Sequence, residues 1–328
     1  MPFLLGADEA GYGPNLGPLV ISGSVWEVPD GVRGDDLYER LQTVIRPTPD
    51  RLTRSQRRRS DGECLAIGDS KVLYHSGKGL ALLERGLWAA WGLLGRRPAT
   101  CREVWNLLAG DSAGPRREAL CHGGDELPAP RDLDPAEIDR LAPRLCEALT
   151  QAGVRLVDLR SVAIFPREFN DTTDRCQSKG AALSHWTLKL VSRLIEPLAD
   201  EPIFILCDKH GGRDRYLPLL SECFPGPFIE IVSEGRAKSV YRFGPEQRRV
   251  EFCFQAKGES HLPTALASMA SKYLRELAIH AFNDHWRRHL PDLRPTAGYP
   301  VDAKRFKADI ATVQQSLDID DRILWRTR

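Results

Sequence analysis

GADEAGYGPNLGP, residues 6 to 18, carries the densest chemistry in the chain: Asp8 and Glu9 follow an apolar run, Phe3 to Ala7, and lead straight into Gly11, Gly13 and Pro14. An apolar run that meets a glycine and proline cluster predicts a buried strand entering a tight loop. The β-branched content of Leu19 to Val28 predicts a second strand on the far side of that loop. In a regular strand, neighbouring side chains point to opposite faces. Asp8 and Glu9 therefore serve one site only if the backbone curls after them, which Gly11 and Gly13 permit. The plain alternative is a solvated acidic turn. A dinucleotide loop is excluded: its third glycine stands three residues after the second, whereas Gly17 comes four after Gly13, and two acids before the loop would repel a pyrophosphate.

Two further acids sit in comparable places. Asp208 closes the apolar run IFILC, residues 203 to 207, immediately before Lys209, His210 and two glycines. Parallel strands bring their carboxyl ends together, and sites gather at that edge of open α/β sheets. Glu259, in QAKGES, lies between a strand and the start of a long helix, where the helix dipole also favours a negative side chain, so helix capping competes with a functional role. Few basic residues stand near enough in sequence to pair Asp8, Glu9, Asp208 and Glu259, and crowded carboxylates raise one another's pKa unless a cation neutralises them. Hard oxygen ligands without paired His or Cys point to Mg²⁺ or Mn²⁺ rather than zinc. Two such ions about 3.5 to 4 Å apart stabilise both the attacking and the leaving oxygen of a phosphoryl displacement.

Composition agrees with a foldable globular chain and excludes some classes. The 328 residues are 42% hydrophobic and 28% charged, and 46 Lys and Arg against 45 Asp and Glu leave a formal charge of +1, so any attraction to nucleic acid must come from local patches. No apolar run is long enough to span a membrane and the first residues show no secretory signal, which predicts a cytoplasmic protein without a membrane partner. The eight cysteines are scattered with no Cys-x-x-Cys pair and read as buried free thiols.

Strands are expected at Leu156 to Phe165, Ile203 to Cys207, Phe228 to Val232, Ala237 to Phe243 and Val250 to Gln255. Helices are expected at Leu80 to Leu94, Glu137 to Leu149, Gln177 to Leu198 and about Pro263 to His285, with Trp88 and Trp91 in the core. Gly110 to Arg131 reads as loop. The stretch from Arg46 to Arg59 carries Arg46, Arg51, Arg54, Arg57, Arg58 and Arg59 with few apolar residues and reads as an exposed arm, either solvated or tracking a nucleic-acid backbone. Strands mixed with long helices argue an α/β domain.

These residues resemble the type 2 ribonuclease H family, ribonuclease HII and HIII. Its N-terminal Asp-Glu-Ala-Gly-Arg-Gly-Pro segment looks like Asp8 to Pro14, followed by Gly17, Pro18 and Leu19. Asp69, Ser70 and Lys71 match its Asp-Ser-Lys motif, and Asp208 after an apolar strand matches its third acid. Lys257, Gly258 and Glu259 with the small-residue helix Ala265 to Arg275 are similar to its Lys-Gly-Asp stretch and following helix, and Gly298, Tyr299 and Pro300 to its later Gly-Tyr segment. Phe169 and Asn170 are similar more weakly. The matches run in family order from residue 6 to about 310, as islands separated by insertions at 31–63 and 95–150.

The resemblance implies a single RNase H-like catalytic domain over residues 1–328, with a central mixed sheet flanked by helices and a helical C-terminal extension from about residue 286. It implies that Asp8, Glu9, Asp208 and Glu259 are catalytic and hold two Mg²⁺ or Mn²⁺ ions. Substrate would be bound by Gly11, Tyr12, Gly13, Ser70, Lys71 and Tyr299. Lys71 would hold a phosphate, and Tyr299 would stack on a sugar, helping to tell RNA from DNA. The activity implied is that of a ribonuclease H, an endonuclease cutting the RNA strand of an RNA/DNA hybrid and leaving 5′-phosphate and 3′-hydroxyl ends. Three departures stand out: Tyr12 replaces an arginine, Glu259 replaces an aspartate, and Lys209 and His210 replace the glycine that follows the third acid. A structure-specific DNA nuclease of the same fold and a non-catalytic hybrid-binding protein are the alternatives. Residue by residue, Ser70 also suits a helix cap, Lys71 a solvated surface, and His210 either proton transfer to a leaving oxygen or no role.

Overall fold

A computed structural model of the chain describes residues 1–34, 36–49, 64–74, 79–198 and 200–327. Most of the arginine-rich arm, Arg51 to Arg59, lies outside the described residues, whereas Arg46 is placed on a short strand. The described strands are β1 (Phe3–Ala10), β2 (Leu19–Glu27), β3 (Ile45–Arg46), β4 (Leu65–Ala66), β5 (Arg155–Ile164), β6 (Ile203–Asp208), β7 (Glu230–Ser233), β8 (Lys238–Phe243) and β9 (Val250–Gln255). The helices are α1 (Asp36–Arg40), α2 (Ser70–Leu73), α3 (Ala81–Leu93), α4 (Cys101–Ala109), α5 (Ala113–Glu118), α6 (Pro135–Ala152), α7 (Pro166–Cys176), α8 (Lys179–Ile195), α9 (Leu217–Cys223), α10 (Leu262–Arg287), α11 (Pro300–Ser316) and α12 (Asp321–Leu324).

Seven strands form one mixed sheet in the order β5-β2-β1-β6-β9-β8-β7. Its centre, β1, β6 and β9, is parallel, and antiparallel strands complete both flanks. Period-two alternation along β1 sorts its side chains between two cores. Leu4 joins Val20, Met269, Tyr273 and Leu274 under α10, while Phe3, Leu5 and Ala7 join Leu183, Leu190, Val191, Phe252 and Phe254 under α8. The result is the helix-flanked mixed sheet with a helical C-terminal region that the resemblance implies. Among the described residues, no helix is long and apolar enough to cross a membrane.

The packing explains where sequence periodicity and structure part. Gly110 to Arg131 is not all loop: a 3-10 turn at Gly110–Ser112 runs into α5. The expected helix from Gln177 to Leu198 is shorter, because Gln177 takes a left-handed conformation (φ 52°) that ends α7 before α8 begins. The strand expected at Phe228 to Val232 is displaced to Glu230–Ser233. Trp88 and Trp91 are core residues in edge contact, ring centroids 4.7 Å apart. All eight cysteines are free, but Cys146 is exposed and Cys176 and Cys223 half-buried, so burial of every thiol does not hold.

One buried carboxylate organises the region beyond α3. Glu84 accepts hydrogen bonds from the backbone N–H groups of Arg131 (2.6 Å), Asp132 (2.8 Å) and Leu133 (3.0 Å) and from the Tyr273 hydroxyl (2.8 Å). A buried carboxylate is tolerated only when its lone pairs are satisfied in this way, and here it fastens the end of the 110–133 segment to both α3 and α10.

Candidate active site

The parallel strands bring the acids to one end of the sheet. Ala7 pairs with Cys207, so Asp8 and Asp208, next on each strand, stand level. Asp208 pairs in turn with Gln255, the last residue of β9, and the chain continues to Glu259 in a 3-10 turn, Gly258–Ser260, just ahead of α10. The Gly258 N–H donates to Asp208 Oδ1 at 3.4 Å. The start of α10 is pressed onto β1 at Gly6, where a Cβ would fall 2.1 Å from the Thr264 backbone nitrogen. Only a residue without a side chain admits the helix there. The Ser24 hydroxyl, donating to the Pro263 carbonyl at 2.7 Å, fixes the same helix start from β2.

The turn after the acids falls at Gly11, one of the two glycines that permit it. Strand β1 remains paired with β2 as far as Ala10 opposite Val20, and the backbone turns only at Gly11, with φ 92°. Alternation therefore sends Asp8 toward α10 and Glu9 toward the opposite face, so the two acids reach the strand end from different sides. Glu259 is not a capping residue, since the N-cap of α10 is His261.

Burial governs the electrostatics. It pushes the Asp8 carboxyl up to about 7, against a hydrogen bond from Ser268 that lowers it and with added repulsion from Asp208 and Glu259. Glu9 is raised well above the ordinary carboxylate range, first by burial and then by Asp8 and Asp208, while Lys71 opposes the rise. Lys71 is itself raised: burial works to lower it, but the fields of Glu259, Asp69, Asp8 and Asp208 prevail. The four acids and Lys71 thus share one field.

Among the described residues, no three His, Cys, Asp or Glu side chains converge closely enough to hold a metal ion as they stand. The expected four-carboxylate, two-ion centre is not preassembled, because Asp8 and Glu9 leave β1 on opposite faces and Glu259 sits in the turn beyond β9. The donor set nevertheless fits a hard divalent cation. It consists of carboxylate oxygens, and the carboxyls of Asp8 and Glu9 are raised first by burial and then by the charges of neighbouring acids, a cost that a cation would relieve.

The flanking residues fall in three groups. Tyr299, 54% exposed, lies over the glycine loop, its Cε1 3.9 Å from the position of a Cβ on Gly13, and the Gly298 carbonyl accepts from the backbone N–H of Asn15 at 2.8 Å. The glycine loop and the Gly-Tyr segment are thus brought together. Ser70 is buried at the first turn of α2, where Asp69 rather than Ser70 supplies the cap, by accepting from Lys71 N at 2.8 Å; the Ser70 and Ser268 hydroxyl oxygens are hydrogen-bonded at 3.0 Å. Tyr12 leans toward α8: its ring faces Lys179 Nζ at 5.0 Å, and its hydroxyl packs against Gly211.

Two residues beside Asp208 turn away from the site. Lys209 is tied to Asp214 (2.5 Å) and the Gly235 carbonyl (2.6 Å), so it adds no free cation. The His210 ring is buried against Tyr216 and Phe254 with Nδ1 2.9 Å from Ser184 Oγ, and burial, assisted by Arg213, pulls its pKa down to about 3. A neutral core histidine replaces the titrating group that sequence allowed. Sequence reasoning missed Ser268 and Ser271, whose hydroxyls reach the Asp8 carboxylate and the Asp8 carbonyl (3.0 Å) from α10. Their one visible signal was the small-residue run of that helix.

A cavity of about 610 Å³ lies against the edge strand β5 between Asp158, Trp186 and Lys189, and none of the four acids lines it.

No family model and no curated protein matches this chain. Among solved structures it is similar to ribonuclease HII of Archaeoglobus fulgidus in a complex with PCNA (12% identity, TM-score 0.41, 99% of this chain and 94% of that one). It is also similar to ribonuclease H2 of Pyrococcus horikoshii OT3 (14%, 0.43, 99% and 93%) and to Bst-RNase HIII in complex with Mn²⁺ (14%, 0.41, 99% and 66%). At these identities and TM-scores the likenesses bear no further weight, and the functional reading rests on the site itself.

Proposed function

We propose that this chain is a divalent-metal-dependent endoribonuclease that cuts the RNA strand of RNA/DNA hybrids, with ribonucleotides embedded in DNA as a further substrate. One observation carries the reading: Asp8 and Asp208 level at adjacent parallel strand ends, in one field with Glu9, Glu259 and Lys71, beside a glycine loop that Tyr299 covers. Asp8, Glu9, Asp208 and Glu259 would hold two Mg²⁺ or Mn²⁺ ions, which when bound supply activation of a water and charge stabilisation at the phosphate. Lys71 meets a phosphate oxygen of the cleaved strand. The Gly11–Gly13 backbone and the exposed Tyr299 ring meet the sugar, where a 2′-hydroxyl distinguishes RNA from DNA. Cleavage leaves 5′-phosphate and 3′-hydroxyl ends.

The separation of Asp8 and Glu9 onto opposite faces favours one second reading, a hybrid-binding protein without turnover. A DNA nuclease of the same fold predicts cutting without ribose. End-labelled duplexes that are all DNA, RNA/DNA hybrid, or DNA with one ribonucleotide, incubated with Mg²⁺ or Mn²⁺, separate the three. Ribose-dependent cutting, lost in Asp8→Asn, supports the ribonuclease. Binding without cutting supports the second reading, and equal cutting of all-DNA duplex supports the DNA nuclease.

A further inference from the structure

We propose that Arg326 is a positioning residue for the glycine loop, gripping it from beneath so that the Gly11–Tyr12 peptide presents its N–H to the sugar of the bound strand. The inference rests on the ribonuclease reading for its substrate and on geometry for everything else.

The guanidinium of Arg326 is 2% exposed and donates to two carbonyls of the same loop: Nη1 to Gly11, and Nε (3.0 Å) and Nη2 (2.5 Å) to Gly17. Its backbone N–H donates to the Asn15 carbonyl at 2.9 Å, and the Asn15 side-chain amide donates to the Arg326 carbonyl at 3.2 Å. Residues 325–327 thus close under the loop as a clasp. The clasp is held from α7. Asn170 Nδ2 donates to the Trp325 carbonyl (2.7 Å), its Oδ1 accepts from Thr327 N (3.0 Å), and the Phe169 ring lies 4.8 Å from the guanidinium carbon. Phe169 and Asn170, which stood out weakly in the sequence, acquire a physical role here.

In a trans peptide the C=O and the following N–H point in opposite directions. The only cis bond among the described residues is Ala129–Pro130, so with the Gly11 carbonyl drawn inward to Arg326, the Tyr12 N–H is driven outward. No hydrogen bond from that N–H to another described residue is found, and Tyr299 borders the same loop at Gly13. Arg326 forms no ion pair among the described residues, and a second buried guanidinium, Arg275, also abuts Gly11. A fold that needed only packing here would not bury a cation without a counter-ion. Lysine cannot substitute, since an ammonium is a single point of charge and the planar fork spans both carbonyls.

Hydrogen–deuterium exchange of residues 11–17, with binding and cleavage of hybrid and all-DNA duplexes, tests the clasp in the wild type, Arg326→Lys and Arg326→Ala. Expected is loop exchange about tenfold faster in Arg326→Ala with the sheet unchanged, and intermediate in Arg326→Lys. The hybrid KM rises about tenfold, kcat at saturation stays within about threefold, and affinity for all-DNA duplex is preserved. Unchanged loop exchange overturns the proposal, as does an equal loss on both duplexes accompanied by a fall in Tm, the signature of a merely structural residue. Should the wild type cut no ribose-containing duplex, the ribonuclease reading fails by itself, and exchange alone upholds or refutes the clasp.

Discussion

Asp8 and Asp208 stand level at the ends of adjacent parallel strands, and the charge of Asp208 helps burial to hold the Asp8 carboxyl near pH 7. The sign of the consequence follows from linkage. Between the ordinary value of 3.8 and about 7, the folded chain binds a proton that the unfolded chain has released, so stability falls as pH rises through that window. Fully developed above pH 7, the cost is at most roughly 4 kcal/mol. Asp8→Asn removes it. The metal-free variant is expected to melt above the metal-free wild type at pH 8 and level with it at pH 4, while losing cleavage altogether. Adding Mn²⁺ should raise the Tm of the wild type and leave the variant unmoved. A variant that melts lower at pH 8 would show that Asp8 is not destabilised by its neighbours.

Glu259 shares the field of Asp8 and Lys71 but does not cap α10. Glu259→Gln should therefore reduce cleavage at least 100-fold, about 2.7 kcal/mol or more of transition-state stabilisation, with stability within about 0.5 kcal/mol of wild type. Single-turnover rates beside urea melts decide it; full activity with lowered stability would return Glu259 to a structural role.

Tyr299 lies exposed over Gly13. Stacking on a nucleotide contributes about 1–3 kcal/mol, so Tyr299→Ala should raise the KM for hybrid about tenfold. An exposed side chain contributes little to folding, and Tm should hardly move. Tyr299→Phe keeps the ring and should keep most of the affinity; equal losses in both variants would implicate the hydroxyl instead.

Glu84 is far from the acids in role but central to stability. Replacing it with alanine strands three N–H groups, that of Leu133 buried, and the buried Tyr273 hydroxyl, which should cost about 3–5 kcal/mol. Tyr273→Phe removes one of those bonds and should cost about 1 kcal/mol. Chemical denaturation of both variants checks the ratio, and a loss below about 1 kcal/mol for Glu84→Ala would mean that the 131–133 segment finds other partners.

The acid-bearing strands were legible because each is a local pattern, an apolar run that stops at a charge. Asp8 and Asp208 were singled out that way, Glu259 by its place between a strand and the long helix, and the alignment of Asp8 with Asp208 follows from parallel pairing. Helix α7 was not legible: its sequence, PREFNDTTDRC, is mostly polar, and it is held by contacts with α8 and α12 rather than by an apolar stripe. Lys209 and His210 misled because neighbours in sequence to an acid were taken as neighbours in the site, whereas both turn inward to partners that other elements supply. The Ser268 bond to Asp8 comes from a helix more than 250 residues later, and composition says nothing of its rotation.

By itself the sequence determined the sheet's central strands, the glycine loop and the long helix that follows them, and singled out the four acids as candidates, because hydrophobic periodicity and turn chemistry are read within a few residues. Only the tertiary structure decided which face each acid takes, which cations remain free, and that Arg326 closes beneath Gly11 and Gly17. Those outcomes depend on strand register and on contacts between distant segments, which the burial of each face settles only when every element is in place.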